Sequence, residues 1–183
     1  MDKQELYRYR LYATGLVSGA IWLLLVWQYF HDGIPAHHLF ANPNLPEVSN
    51  AWGGLLLPLL TAFLLYRIQK RIQAAGEGPI QLTLFRHAVY SFGVAWLYAV
   101  VLALAFSFGY PSVSNFMFIA MLGMALIFPL YRAAFYLGLV LGLTNFFGAV
   151  LPTLVGGVVV LLSAAANLGL HPLILKLRGK LKF

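Results

Sequence analysis

Long apolar runs recur along the whole chain and limit the folds that it can adopt. Of its 183 residues, 61% are hydrophobic and 9% are charged, whereas about a quarter of the residues in a globular domain are charged. A helix needs about 20 mostly apolar residues to cross a bilayer, and runs of that length are typical of membrane spans. The sequence therefore predicts an all-α integral membrane protein with one polytopic domain, residues 1–183.

Polar and turn-forming residues divide this domain into six predicted spans. We place them at about residues 11–30, 51–66, 87–108, 115–130, 133–150 and 152–171, followed by a basic interfacial tail at 172–183. The first run is about twice as long as the apolar core of a signal peptide, and no small-residue cleavage site follows it, so we expect it to remain as a span.

The basic residues occupy alternate connections of the predicted six-helix bundle. Segments 1–10, 67–86, Arg132 and the tail carry 3, 4, 1 and 4 Lys or Arg residues, which are all 12 in the chain. Because positive loops stay cytoplasmic, we expect cytoplasmic N- and C-termini and an extracytoplasmic loop at 31–50. This pattern predicts an inner (cytoplasmic) or plasma membrane protein, whose basic segments face the anionic inner leaflet of the lipid bilayer.

The loop at 31–50 is the first candidate for a functional site. It contains His31, Asp32, His37, His38 and Glu47, the side-chain types that can bind zinc or a similar divalent metal. Their spacing matches no known metal motif, and adjacent histidines point apart on a regular element, so only one of His37 and His38 would join the others. A loop whose histidines are merely solvated or hydrogen-bonded is the simpler alternative, and the cofactor stays open.

Three amides within the apolar runs form a second group of candidates. They are Gln28, Asn145 and Asn167. An amide inside a membrane needs a hydrogen-bond partner, so we expect Asn145 and Asn167 to face the bundle interior. They would either line a polar passage for a ligand or tie helices together, and Asn145 and Asn167 would pair across the fifth and sixth spans.

Two GxxxG motifs, Gly15–Gly19 and Gly138–Gly142, predict close helix contacts. Packing within one bundle is the default interpretation for both motifs, and a homo-oligomer remains open.

The absence of some motifs narrows the function classes. The chain has no cysteine, which excludes disulfides, thiolate metal sites and cysteine nucleophiles. It also has no phosphate-binding loop and no nucleic-acid module, so its net charge of +7 does not indicate a nucleic-acid partner.

Three functions remain. The first is a membrane protein that binds or conducts a small solute or ion through the His/Asp-rich extracytoplasmic entrance. The second is a metal-dependent lipid hydrolase at the outer face, in which Asp32 or Glu47 would be the general base and His31 with His37 or His38 would hold the metal. The third is a structural or pH-sensing partner subunit of a membrane complex. A histidine side chain changes its charge near pH ~6.5, so the loop histidines could shift a protein interface as the pH changes.

Overall fold

The computed structural model describes residues 2–31, 33–38 and 47–170, without the side chains of His37 and His38. These ranges form six α-helices, which confirms the predicted all-α class. They are α1 (Lys3–His31), α2 (Gly53–Gln73), α3 (Pro79–Ser107), α4 (Pro111–Ile127), α5 (Ala133–Phe147) and α6 (Val150–Ala164). A π-helical segment, Ala165–Leu170, continues α6. An antiparallel hairpin of β1 (Ala36–His38) and β2 (Glu47–Ser49) leads through a 3₁₀ turn, Asn50–Trp52, into α2.

Four helical stretches are long and apolar enough to cross a membrane. They are Lys3–His31, Asn50–Gln73, Pro79–Ser107 and Val150–Leu170, and they make the chain compatible with an integral membrane protein. The helices α4 and α5 have 17 and 15 residues, which correspond to lengths of about 26 and 22 Å. Because the hydrocarbon core is about 30 Å thick, six helices are present but the prediction of six spans is not confirmed.

The connection between α2 and α3 is shorter than the sequence predicted. Arg67, Lys70 and Arg71 belong to α2, and only residues 74–78 form the turn. Gly76 and Gly78 have φ values of +70° and +141°, conformations that a side chain disfavours. The basic residues are therefore held on a helix rather than on a loop.

The closest helix contact joins α3 and α5, which run parallel. A Cβ at Gly138 would overlap the Phe92 carbonyl oxygen, and one at Gly142 would lie 2.6 Å from the Ala99 Cβ. Four residues further along α5, the contacted residues on α3 also lie four positions further along, so the two helices run in the same direction. The Gly138–Gly142 motif thus packs within the bundle, as predicted, whereas an added Cβ at Gly15 or Gly19 would meet no described residue within 4 Å.

The other helices pack around this pair. Tyr98 on α3 donates a hydrogen bond to the Met117 carbonyl on α4, at 2.5 Å. Ser163 on α6 donates to the Phe128 carbonyl, which follows α4, at 2.9 Å. Small residues let the backbones approach in the core, which includes Ala95, Ala99, Met121, Leu139 and Val159. A second cluster, Ile21, Leu57, Val140 and Ala149, joins α1, α2 and α5.

The bundle has two distinct ends. The hairpin end contains the two strands, the end of α1, the start of α2 and the end of α5. The basic end contains Arg67, Lys70, Arg71 and Arg132 around one cavity.

Candidate functional site

The hairpin is fixed to the start of α2 by local hydrogen bonds. The Asn50 N–H donates to the Pro35 carbonyl at 2.9 Å. The Ser49 hydroxyl accepts from the Ala51 N–H at 3.2 Å and caps the 3₁₀ turn, as a serine preceding a helix is expected to do. These bonds hold the Asn50 side chain over the ends of α1 and α5.

The helices below the hairpin are also held close together. Trp22 on α1 donates its indole N–H to the Gly54 carbonyl on α2, at 2.9 Å. A Cβ at Gly54 would lie 2.8 Å from a methyl group of Leu25. At the end of α5, Gly148 has φ +69° and lies directly against the Asn50 carboxamide. Glycine at position 54 lets α1 and α2 approach each other, and Gly148 forms part of the wall of a pocket.

The resulting pocket, which we call the solute pocket, has a volume of about 140 Å³. Its polar side chains come from α1, the 3₁₀ turn and α5: Gln28, Asn50, Thr144 and Asn145. The apolar part of its wall includes Ile21, Leu24, Leu25 and Ala149. Gln28 and Asn145, two of the amides selected from sequence, thus meet in one cavity.

Two oxygen atoms in the solute pocket, on Gln28 and Thr144, can still accept hydrogen bonds. The Gln28 Oε1 atom is buried and has no hydrogen-bond partner in the described part of the chain. The Thr144 hydroxyl donates to the Val140 carbonyl at 2.7 Å, which leaves its oxygen able to accept. An unpaired buried carbonyl oxygen costs about 1–3 kcal/mol. A ligand that donates a hydrogen bond to Gln28 would recover that cost.

The charge of the pocket wall restricts the ligand further. No Asp, Glu, Lys, Arg or His is among its described lining residues. Amide and hydroxyl groups both donate and accept hydrogen bonds, so they suit a neutral polar molecule better than an ion. The volume is below the roughly 300–1,000 Å³ of pockets for drug-sized ligands, which indicates a much smaller solute.

The predicted loop donors are only partly described. His31 ends α1, is exposed, bonds the Trp27 carbonyl through Nδ1 at 3.0 Å and stacks on the Trp27 ring with centroids 4.6 Å apart. Glu47 is exposed on β2, and neither residue lines the solute pocket. Asp32 and the side chains of His37 and His38 lie outside the described residues. Among the residues that are described, no three His, Asp or Glu side chains form a metal-binding group, and the metal site stays a prediction.

Asn167 lies at the other end of the bundle from Asn145. Its Nδ2 donates to the carbonyls of Ala125 and Phe128, at 3.2 and 3.1 Å, and so ties α6 to the end of α4. The expected pairing of Asn145 with Asn167 is wrong, because Asn145 lies in the last turn of α5, beside the hairpin. The expectation that Asn145 faces the bundle interior is wrong as well, because its side chain is exposed at the edge of the pocket.

Two residues of the pocket were not selected as site residues from sequence. They are Asn50 and Thr144. Asn50 lies in the loop at 31–50 that follows Gln28, which is a signal available in the sequence, whereas no sequence feature distinguishes Thr144.

Comparisons with protein-family models, with curated proteins and with solved structures find no match.

Proposed function

We propose that this chain is a six-span membrane protein that binds a small neutral polar solute in the solute pocket. In this proposal both termini are cytoplasmic, the segment 31–50 is extracytoplasmic, and its histidines and acidic residues surround the entrance. The observation that carries the proposal is the buried Oε1 of Gln28, which has no hydrogen-bond partner among the described residues and lies in a cavity with the amides of Asn50 and Asn145.

The convergence of these amides supports binding by more than one polar contact. Gln28, Asn50 and Asn145 come from three separate elements, and the other lining residues on α1 are all aliphatic. A buried polar group in such surroundings costs free energy unless it forms its hydrogen bonds. A solute with hydroxyl or amide groups satisfies several of them at once.

The packing below the pocket supports binding more directly than conduction. Ile21, Leu57 and Val140 are 6%, 2% and 0% exposed and belong to one packed cluster with Ala149, which also lines the pocket. A solute that crossed the bundle by this route would need these side chains to separate. Conduction, the other part of the hypothesis, therefore requires a movement of α1 or α2 relative to α5.

Ligand-observed NMR on the protein in nanodiscs tests binding. Glycerol, urea and acetamide serve as probes, because they are small, neutral and donate hydrogen bonds. We expect saturation transfer from the wild-type protein to at least one of them, and we expect Gln28→Leu to weaken the signal about five- to tenfold, since one hydrogen bond is worth about 1 kcal/mol.

Gln69→Leu is the matched control for this experiment. The Gln69 Oε1 is also buried without a partner in the described residues, but it lies in a different cleft. The control should retain the wild-type signal. Equal signals from wild type and Gln28→Leu, or no signal with any of the three probes, would contradict the proposal.

Single cysteines test the proposed orientation, because the chain has none of its own. Ser49→Cys lies at the hairpin end and Glu77→Cys in the exposed turn between α2 and α3. A membrane-impermeant maleimide should label only Ser49→Cys in intact cells and both variants after lysis. Labelling of Glu77→Cys in intact cells would show that the proposed orientation is wrong.

A further inference from the structure

A large cavity at the basic end has a cationic wall. It has a volume of about 970 Å³ and lies between α2, the start of α3 and the connection from α4 to α5. Arg67, Lys70 and Arg71 reach it from α2, and Arg132 from the connection. His87 contributes from α3, where its Nδ1 bonds the Thr83 carbonyl at 2.9 Å. Four permanent cations thus surround one space, which we call the basic cavity.

These charges are not balanced by nearby carboxylates. Within the described ranges, none of the four cations forms an ion pair. Glu77, in the adjacent turn, is exposed and does not line the basic cavity. The Nε of Arg132 is buried and has no hydrogen-bond partner in the same ranges. Since a guanidinium group is favoured by a bidentate anionic partner such as phosphate, an anion is the ligand class that this wall fits.

An apolar cleft adjoins the basic cavity. It has a volume of about 320 Å³ and lies between α1, α2, α3 and α5. Four residues line both spaces: Ile68, Ile72, Ala88 and Ala134. Most of its wall is aliphatic or aromatic and includes Leu16, Leu65, Phe92 and Leu137, and its polar lining residues are Arg10, Thr61 and Gln69.

The cleft has the shape of a site for an extended chain. Its lining on α2 runs from Ile72 back to Thr61, and on α5 from Ala134 to Leu141. At 1.5 Å per residue these stretches extend about 16 and 10 Å along the helix axes. The cleft therefore leads from the basic cavity into the apolar length of the helices.

We propose that the basic cavity and the apolar cleft together bind one anionic glycerophospholipid. Its phosphate lies among Arg67, Lys70, Arg71 and Arg132, and one acyl chain lies in the cleft. The positive charge of the basic cavity favours an anionic head group. Because the apolar cleft opens directly from this cavity, the two spaces fit an amphiphile better than a free anion. The site lies at the opposite end of the bundle from the solute pocket, so it does not rest on the proposed function.

Native mass spectrometry of the purified full chain tests the site. The protein is titrated with dioleoyl phosphatidylglycerol and, separately, with dioleoyl phosphatidylcholine, and inorganic phosphate is added as a competitor. We expect the anionic lipid to bind at least about tenfold more tightly than the zwitterionic one. Each basic residue near an anionic lipid surface contributes an affinity factor of about five.

Variants separate this site from general surface charge. Arg132→Gln and Lys70→Gln should each weaken phosphatidylglycerol binding about fivefold. Arg86→Gln is the matched control, because Arg86 is exposed on α3 and does not line the cavity. It should change the affinity less than twofold. Lys70 is exposed, so Lys70→Gln keeps the test valid if Arg132→Gln does not fold.

A second pair of variants tests the acyl chain. Leu65→Trp fills part of the cleft and should weaken phosphatidylglycerol binding, whereas Leu59→Trp, at an exposed position of the same helix outside the cleft, should not. Equal affinity for the two lipids, or equal losses in Arg132→Gln, Lys70→Gln and Arg86→Gln, would overturn the proposal. Displacement of the lipid by millimolar inorganic phosphate, with no effect of Leu65→Trp, would assign the cavity to a free anion instead.

Discussion

The two GxxxG motifs provide a test of the fold, because the glycines of one motif contact a neighbouring helix closely and those of the other do not. A Cβ added at Gly142 would lie 2.6 Å from the Ala99 Cβ and 2.7 Å from the Trp96 carbonyl oxygen. Ordinary carbon contacts are about 3.5–4.0 Å long, so α5 would have to move about 1 Å away from α3. At Gly19 on α1, an added Cβ meets no such neighbour within 4 Å.

The expected cost of Gly142→Ala follows from this geometry. Overpacking a core costs about 1–3 kcal/mol, and one of the two neighbours is backbone, which has little freedom to move. The better helix propensity of alanine returns at most about 1 kcal/mol. We therefore expect Gly142→Ala to lower the free energy of unfolding by about 2 kcal/mol, and Gly19→Ala to leave it unchanged or slightly raised.

Titration of mixed micelles with dodecyl sulfate, followed by circular dichroism, measures this difference. Equal unfolding midpoints for Gly142→Ala and Gly19→Ala would refute the parallel packing of α3 against α5. Chemical cross-linking adds a second readout for the homo-oligomer that the sequence left open. If Gly19→Ala changes the oligomeric mass but not the unfolding of the monomer, the motif on α1 contacts a second copy.

Three further predictions concern Asn167, Gln28 and Leu57, and Asn145 serves as the control for the first. Asn167→Leu should lower the free energy of unfolding by about 1–2 kcal/mol in the same titration, because it removes hydrogen bonds to carbonyls at the end of α4. Asn145→Leu should have a smaller effect, because the Asn145 side chain is exposed. Gln28→Leu should not destabilise the solute-free protein, because its amide oxygen is unpartnered, and a clear loss of thermal stability would count against the description of the pocket. Leu57→Ala should cost about 2–5 kcal/mol, since that side chain is 2% exposed. If solutes cross by this route, Leu57→Ala should also speed glycerol entry into proteoliposomes, measured by stopped-flow light scattering.

The sequence alone was sufficient to predict the class of the fold and the number of its helices. Apolar runs of about 20 residues require helices, because each backbone polar group in hydrocarbon needs an internal partner. The charge pattern also predicts that Arg67, Lys70, Arg71 and Arg132 lie on one side of the membrane. The structure brings these four residues to one cavity.

The helix ends were less predictable. Hydropathy marks where a chain becomes apolar, whereas a helix ends where its hydrogen bonds end. For this reason α1 begins at Lys3 and α2 continues to Gln73, several residues beyond the predicted spans. The positive φ values of Gly76 and Gly78 explain why the turn lies there and not at the first basic residue.

Only the tertiary structure decided which side chains meet. A helix that is apolar on all sides gives no amphipathic signal for the face that packs inward, so the sequence did not distinguish Gly138–Gly142 from Gly15–Gly19. The solute pocket forms because the hairpin carries Asn50 over the ends of α1 and α5, where Gln28 and Asn145 lie. The sequence determined that these amides need partners, and the packing of α1, α2 and α5 determined that they share one cavity.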